Sequence, residues 1–340
     1  MDKNFLEDIL KKLKSKGADH ADVIFSQEES KSSSCRLGKI EKSETSEVKE
    51  IGIRVILKKK QSIISSTNLE LKNLNELIDR VLEMVKVVPE DKYCGLADEN
   101  QVSIPDPAEV KKLNLFDEYE PDLKKISEKV IALEDSALKN KKIINSEGAE
   151  LSFSKNKSIL MGTNGLVSEI NKTHSDYIIA VLAGNSSSME RAYDYKSKVF
   201  FKDLGNFSKI GKNVANDAIK KLNSKKIRTC KSNVIFDSKI SSSILSTLFN
   251  ACNASSVIKG TSFLKNKKNK RIFDSSINII DDPRMKKKLR SKIVDAEGIK
   301  TSSKKLIEDG KLKFFFNCLS SARQINDQPS GHATRSASSI

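Results

Sequence analysis

With 340 residues, 37% of them hydrophobic and 31% charged, the chain is long enough to bury a sizeable core and to divide into two or three domains. No apolar run approaches the roughly 20 residues of a membrane-spanning helix, and the start, Met1-Asp2-Lys3-Asn4-Phe5, lacks the apolar core of a signal peptide, so a cytoplasmic protein without membrane contact is expected. A net charge of +16 raises the class of basic nucleic-acid-associated proteins, but lysine is spread along the whole chain, and the densest run, Lys265 to Arg271, has no interleaved aromatic for base stacking.

In chain order, Phe5, Leu6, Ile9, Leu10 and Leu13 form a helical stripe that stops at Gly17. Ala21 to Phe25 reads as a strand. Cys35 to Glu41 and Glu47 to Leu57 read as a strand pair, with Ser62 to Ser66 returning after a turn at Lys58 to Gln61. A helix with Leu71, Leu74, Leu77, Ile78, Val81, Leu82 and Val85 on one side ends before Pro89. Residues 89–120 hold Pro89, Pro105 and Pro107 in an acidic, turn-prone stretch, expected to be a linker wrapped over the surface. Next come a helix from Pro121 to Lys139, a β-meander of four strands (Ile143–Phe153, Ser158–Met161, Gly165–Asn171, Tyr177–Ala183) and a helix from Ile210 to Leu222.

The rest of the chain is organised around a strand feeding a helix. Val234-Ile235-Phe236 reads as a buried strand, and Asp237 as the N-cap of a helix from Ser238 to about Ile258. Its stripe is Ile240, Ile244, Leu245, Leu248, Phe249 and Cys252, and Lys259-Gly260-Thr261-Ser262 is the turn that follows. Ile277–Ile280 and Leu312–Phe316 are the further strands, the second after a Glu308-Asp309-Gly310 turn. The fold class is therefore α+β: an N-terminal α/β module (1–88), a linker (89–120), a helix plus β-meander middle domain (121–228), and a mixed α+β C-terminal domain (229–340) centred on the strand-helix unit.

Lys259-Gly260-Thr261-Ser262-Phe263-Leu264-Lys265 behind its helix, Ile279-Ile280-Asp281-Asp282-Pro283, Asp295-Ala296-Glu297-Gly298 and Arg191-Ala192-Tyr193-Asp194-Tyr195 stand with Gly38-Lys39-Ile40-Glu41 and Gly52-Ile53-Arg54-Val55 near the start. Together these phrases resemble the TldD/PmbA family of zinc metallopeptidases and their paired subunits. In the catalytic branch, the helix before the Lys-Gly-Thr-Ser turn carries His-Glu-x-x-x-His, two zinc ligands and a general base. Counting back from Lys259 puts these three positions at Leu245, Ser246 and Asn250. The resemblance is thus to the PmbA (TldE) branch. It implies a non-catalytic subunit with no cofactor of its own, which forms a heterodimer with a TldD-like subunit that bears the zinc and walls a chamber for short or unfolded peptides. It also implies chamber-lining roles for Lys259, Gly260, Thr261, Ser262, Gly298 and His332. Gly331-His332-Ala333-Thr334-Arg335-Ser336 resembles a phrase that the family places well before its C-terminus, so the last domain is expected to be incomplete.

Other chemistry has weaker support in the residues. Cys35, Cys94, Cys230, Cys252 and Cys318 are scattered without a C-x-x-C pair, which favours reduced, mostly buried thiols. His20, His174 and His332 lie at no metal-ligand spacing from one another. A Cys252–His332 peptidase is set below a buried, inert Cys252, and a cation site at Asp281-Asp282 is set below a strand-ending turn before Pro283.

Overall fold

Leu6, Ile9, Leu10 and Leu13 bury one side of α1 (Lys3–Ser15), whose N-cap, Asp2, accepts the Phe5 N–H at 3.0 Å. The computed structural model describes residues 2–185 and 188–339. After α1 come β1 (His20–Arg36), β2 (Lys39–Leu57), β3 (Lys60–Ser66), α2 (Leu71–Val87), α3 (Pro107–Leu113) and α4 (Leu123–Leu138). β4 (Ile143–Gly162), β5 (Val167–Asn185), β6 (Ser188–Lys198) and α5 (Phe207–Lys220) follow. The six strands pair antiparallel in one sheet, in the order β3-β2-β1-β4-β5-β6. Strands of the 1–88 and 121–228 segments are therefore hydrogen-bonded neighbours, with Phe25 of β1 opposite Ile159 of β4.

Side chains alternate across a strand, and this sorts the sheet's contacts. Val23, Phe25, Ile53 and Ile159 pack against α1 and α2. Further along the same face, Leu151, Phe153, Tyr177 and Ile179 pack against α4 and α5. Ile24 and Leu160, one position out of phase, turn to the opposite face, where Leu166 and Ala337 meet them. The C-terminal residues thus cover the side of the sheet that the helices leave free. Ala337 lies so close to β2 that a Cβ built on Gly52 would fall 2.1 Å from its carbonyl oxygen, so only glycine fits there without a shift.

The C-terminal part contains α6 (Ser238–Ala251), α7 (Ala254–Ile258), β7 (Ile279–Asp281), β8 (Lys304–Glu308), β9 (Lys311–Leu312) and α8 (Leu319–Ile325). β7, β8 and β9 form a small sheet in that order. Its core gathers Leu248, Cys252, Leu264, Leu306, Ile307, Leu312 and Phe315. Helices and strands are mixed without regular alternation, the α+β class that the sequence pattern implies. Among the described residues no helix is long and apolar enough to cross a membrane.

Several sequence expectations are corrected. Val234-Ile235-Phe236 is not a strand, and it is exposed, Ile235 to 95%. An apolar run becomes a buried strand only with a ladder partner, and the small sheet is built from β7, β8 and β9 alone. The helix expected to reach about Ile258 stops at Ala251, and Asn253 starts the separate α7 by accepting the Ser255 N–H at 2.9 Å. Of its stripe, Leu248 and Cys252 are buried, while Ile240, Ile244, Leu245 and Phe249 remain exposed. The strand expected over Leu312–Phe316 leaves the ladder after Leu312, because Phe316 gives its N–H to the Cys252 carbonyl (2.9 Å) and its carbonyl to the Ala254 N–H (2.8 Å). Within 89–120, Leu113 and Leu115 do more than wrap the surface: both are buried with Val199, Ile293 and Val294.

Candidate functional site

Asp237 caps α6 by accepting the Lys239 N–H at 2.8 Å, and the helix presents Leu245, Ser246 and Asn250 to solvent. Leu245 has no donor atom, the Ser246 hydroxyl donates to the Ser242 carbonyl at 3.1 Å, and Asn250 offers a neutral amide. This donor set does not fit zinc, which takes imidazole, thiolate or carboxylate ligands. Among the described residues no group of three or more His, Cys, Asp or Glu is placed to hold a metal ion.

The turn after α7 is built largely by its own hydrogen bonds. Gly260 takes φ 74°, and the Thr261 hydroxyl donates to the Ser256 carbonyl at 3.2 Å. Ser262 is buried; its Oγ donates to the Ala251 carbonyl at 2.6 Å and accepts the Leu264 N–H at 3.1 Å, pinning the turn to the end of α6. Lys259 is exposed beside it. Gly298 belongs to a different neighbourhood, with φ 84° and with Leu166 and Val102 so near that a Cβ built on it would fall 3.1 and 3.3 Å from their side chains.

His332 is half-buried between two polar partners, Asp281 Oδ2 at 2.9 Å from Nε2 and Ser330 Oγ at 2.9 Å from Nδ1. Its ring lies edge-on to Phe316 with centroids 4.6 Å apart, and Phe316 in turn meets Phe249 of α6 at 5.6 Å. Through this aromatic chain, His332 and α6 share one surface. Ser330 is not a free nucleophile, since its Oγ also donates to the Asn317 carbonyl and accepts the Asn317 N–H, both at 2.9 Å. Nor is Cys252: it is fully buried, and burial pushes its thiol up to about 11, so the nucleophilic thiolate is scarce at neutral pH. Cys35 and Cys94 are buried too, whereas Cys230 is exposed and Cys318 half-buried; all five are free.

Sequence reasoning missed the buried ionisable groups at the junction between the large sheet and the C-terminal segment. Asp22 accepts from Arg54 Nε at 2.5 Å and from Arg335 Nε at 3.2 Å, all three side chains being buried. Asp295 holds the Ala333 N–H at 3.0 Å, and Glu297 accepts the Leu319 N–H at the start of α8 at 2.7 Å. Burial raises Asp295 and pushes Glu297 up to about 7. Arg54, Asp295, Glu297 and Arg335 stand in phrases quoted above, but no spacing joins them to Asp22, from which Arg54 lies 32 positions away and Arg335 313.

Comparison with known proteins places this architecture. The family model for the PmbA/TldA metallopeptidase C-terminal domain matches residues 229–340, and that for PmbA/TldA metallopeptidase domain 1 matches residues 21–85. Metalloprotease PmbA homolog of Buchnera aphidicola subsp. Baizongia pistaciae is 30% identical over 275 residues, covering 81% of this chain and 61% of that protein. Metalloprotease PmbA of Escherichia coli is 26% identical over 317 residues, covering 93% of this chain and 70% of that protein. A crystal structure from Bacteroides thetaiotaomicron, described as a putative modulator of DNA gyrase, superposes with a TM-score of 0.89 at 23% identity over 98% of this chain and 75% of that one. TldE from Thermococcus kodakarensis gives 0.73 at 19% identity, over 97% and 73%. These likenesses define a PmbA/TldA metallopeptidase-type fold. The chain belongs to the TldD/PmbA family, on its PmbA branch. It spans about three fifths of the length of the two Buchnera relatives.

Proposed function

We propose that this chain acts in the cytoplasm as the PmbA-type, non-catalytic subunit of a peptidase assembly, pairing with a TldD-like subunit that carries the zinc and handling short or unfolded peptides. The observation that supports this most is the chemistry of α6: the positions equivalent to two histidines and a glutamate hold Leu245, Ser246 and Asn250. No step of peptide hydrolysis is assigned to this chain's residues. Val234, Ile235 and Phe236, consecutive and exposed, and Ile244 and Leu245, neighbours on α6, leave apolar side chains in solvent that suit burial against a partner. The basic run 265–271 is a solvated loop in which Lys268 pairs with Asp327, so charge alone supports the nucleic-acid reading.

The test is reconstitution. Mixed with a subunit bearing His-Glu-x-x-x-His, this chain should co-elute at the size of a complex and support chelator-sensitive peptide cleavage that neither chain gives alone. Stoichiometric zinc and chelator-sensitive cleavage by this chain alone would overturn the reading.

A further inference from the structure

A cleft of about 860 Å³ opens beside the start of β1, with walls from the α1–β1 turn, the β2–β3 hairpin, residues 94–99, the β4–β5 turn and Arg323 of α8. Its volume suits a small molecule or a short peptide. It shares no lining residue with α6.

The β2–β3 hairpin at its mouth is a two-residue turn closed by the Leu57–Lys60 pair, with Lys58 at φ 47° and Lys59 at φ 63°. Positive φ at both positions is the geometry that Asn-Gly and similar pairs favour, because a Cβ is crowded there. Elsewhere the chain follows that preference: Leu37-Gly38 (50° and 75°) and Asp309-Gly310 (49° and 74°) both place glycine second. At 58–59 stand two lysines. The turn's own bonds do not require them, since the Lys58 N–H donates to Asp19 Oδ2 at 2.8 Å and the Lys59 carbonyl accepts the Asp91 N–H at 2.7 Å, both main-chain groups that most residues possess. What lysine adds is a charged side chain on the cleft wall.

Neighbouring cations reinforce them. Lys14 is held by the Asp19 carbonyl at 2.7 Å, and Arg323 by the carbonyls of Tyr93 at 2.9 Å and Leu96 at 2.8 Å, neutral oxygens that leave both charges uncancelled. Three acids, Asp19, Asp98 and Glu99, line the same cleft, so its four cations outnumber its carboxylates by one, and Asp19 is already engaged by the Lys58 N–H.

We infer that Lys58 and Lys59, backed by Lys14 and Arg323, form a recognition site for the free carboxylate of a short peptide, and that the strained lysine turn is kept for that purpose. The inference rests on the peptide-handling reading above, but it concerns this chain alone.

The test is titration of the full chain with the tetrapeptide Ala-Ala-Leu-Ala and, separately, with its C-terminal amide. The free acid should bind at least about tenfold more tightly, as expected for a charge-assisted contact. Lys58→Asn with Lys59→Gly should relieve the turn, raise the melting temperature by about 2–4 °C and weaken acid binding about tenfold. Lys58→Gln with Lys59→Gln should lose the same binding without the thermal gain. Absence of binding, equal affinity for the amide, or unchanged binding in both variants overturns the inference. A chain that binds the acid selectively but forms no complex with a metal-bearing subunit keeps this inference and sinks the assembly reading. One that assembles yet binds acid and amide alike does the reverse.

Discussion

Glu134, fully buried on α4, accepts the backbone N–H groups of Leu37 and Gly38 at 3.0 Å each, one with each carboxylate oxygen. A side chain from the middle helix therefore satisfies two donors at the tip of the β1–β2 hairpin, which no strand can reach. Charge-assisted bonds of this kind contribute about 1.5–3 kcal/mol each. Glu134→Ala should cost about 3 kcal/mol in urea unfolding, with Glu134→Gln in between, since its amide keeps one acceptor oxygen. A loss under about 0.5 kcal/mol for the alanine variant would mean that the hairpin tip is not held by this contact.

The second prediction concerns Asp22, which lies between Arg54 and Arg335 and joins β1, β2 and the C-terminal segment. Arg335 Nη2 is already buried without a hydrogen-bond partner, so the cluster has no surplus acceptor. Asp22→Ala would leave two buried guanidinium groups unpaired and should cost about 3–5 kcal/mol, the usual result of breaking a buried pair from one side. Limited proteolysis should show the 330–339 segment becoming accessible first. Unaltered cleavage there would show that Arg335 does not depend on Asp22 for its position.

Glu297 makes stability depend on pH. Burial is the main cause of its raised value and Asp295 adds repulsion, while its bond from the Leu319 N–H and the charges of Arg54 and Arg323 act the other way. Below its ordinary value of 4.5 the carboxyl is protonated in both folded and unfolded chains, and its favourable contribution is complete. As pH rises toward about 7 the unfolded chain releases the proton first, so the folded chain loses this stability across that window. Glu297→Gln, which keeps an acceptor for Leu319, should flatten the decline between about pH 5 and pH 8 in unfolding measured at several pH values. An identical slope in both proteins would show that Glu297 ionises normally.

The helices were legible because each carries its own period: Leu6, Ile9, Leu10 and Leu13 bury in α1, and Leu74, Ile78, Val81 and Val85 in α2, as their spacing implies. The long strands were read in pieces. Lys155-Asn156-Lys157 in β4 looks like a turn, yet it pairs with Gln27, Glu28 and Glu29 of β1, an equally polar stretch whose ladder rests on backbone bonds and opposite charges. Val234-Ile235-Phe236 misled for the converse reason: apolarity records a need for burial, but the partner strand is a property of the whole fold. The His332–Asp281 pair spans 51 positions, and the Arg335–Asp22 pair 313. No spacing rule reaches across such distances.

The last prediction tests α6 directly. Leu245 is 41% exposed and Ser246 and Asn250 face solvent, so Leu245→His, Ser246→Glu and Asn250→His should be accepted together without disturbing the core side, which is carried by Leu248 and Ala251. Two imidazoles five positions apart on α6 give zinc at most part of the three-ligand set that a hydrolytic site needs. The nearest histidine on this surface, His332, is already engaged by Asp281 and Ser330. The triple variant should therefore take up well under one zinc per chain by mass spectrometry after dialysis, and cleave no peptide. Full occupancy with chelator-sensitive cleavage would mean that a third ligand stands within reach of α6, and that substitution at these three positions alone separates this chain from a working metallopeptidase.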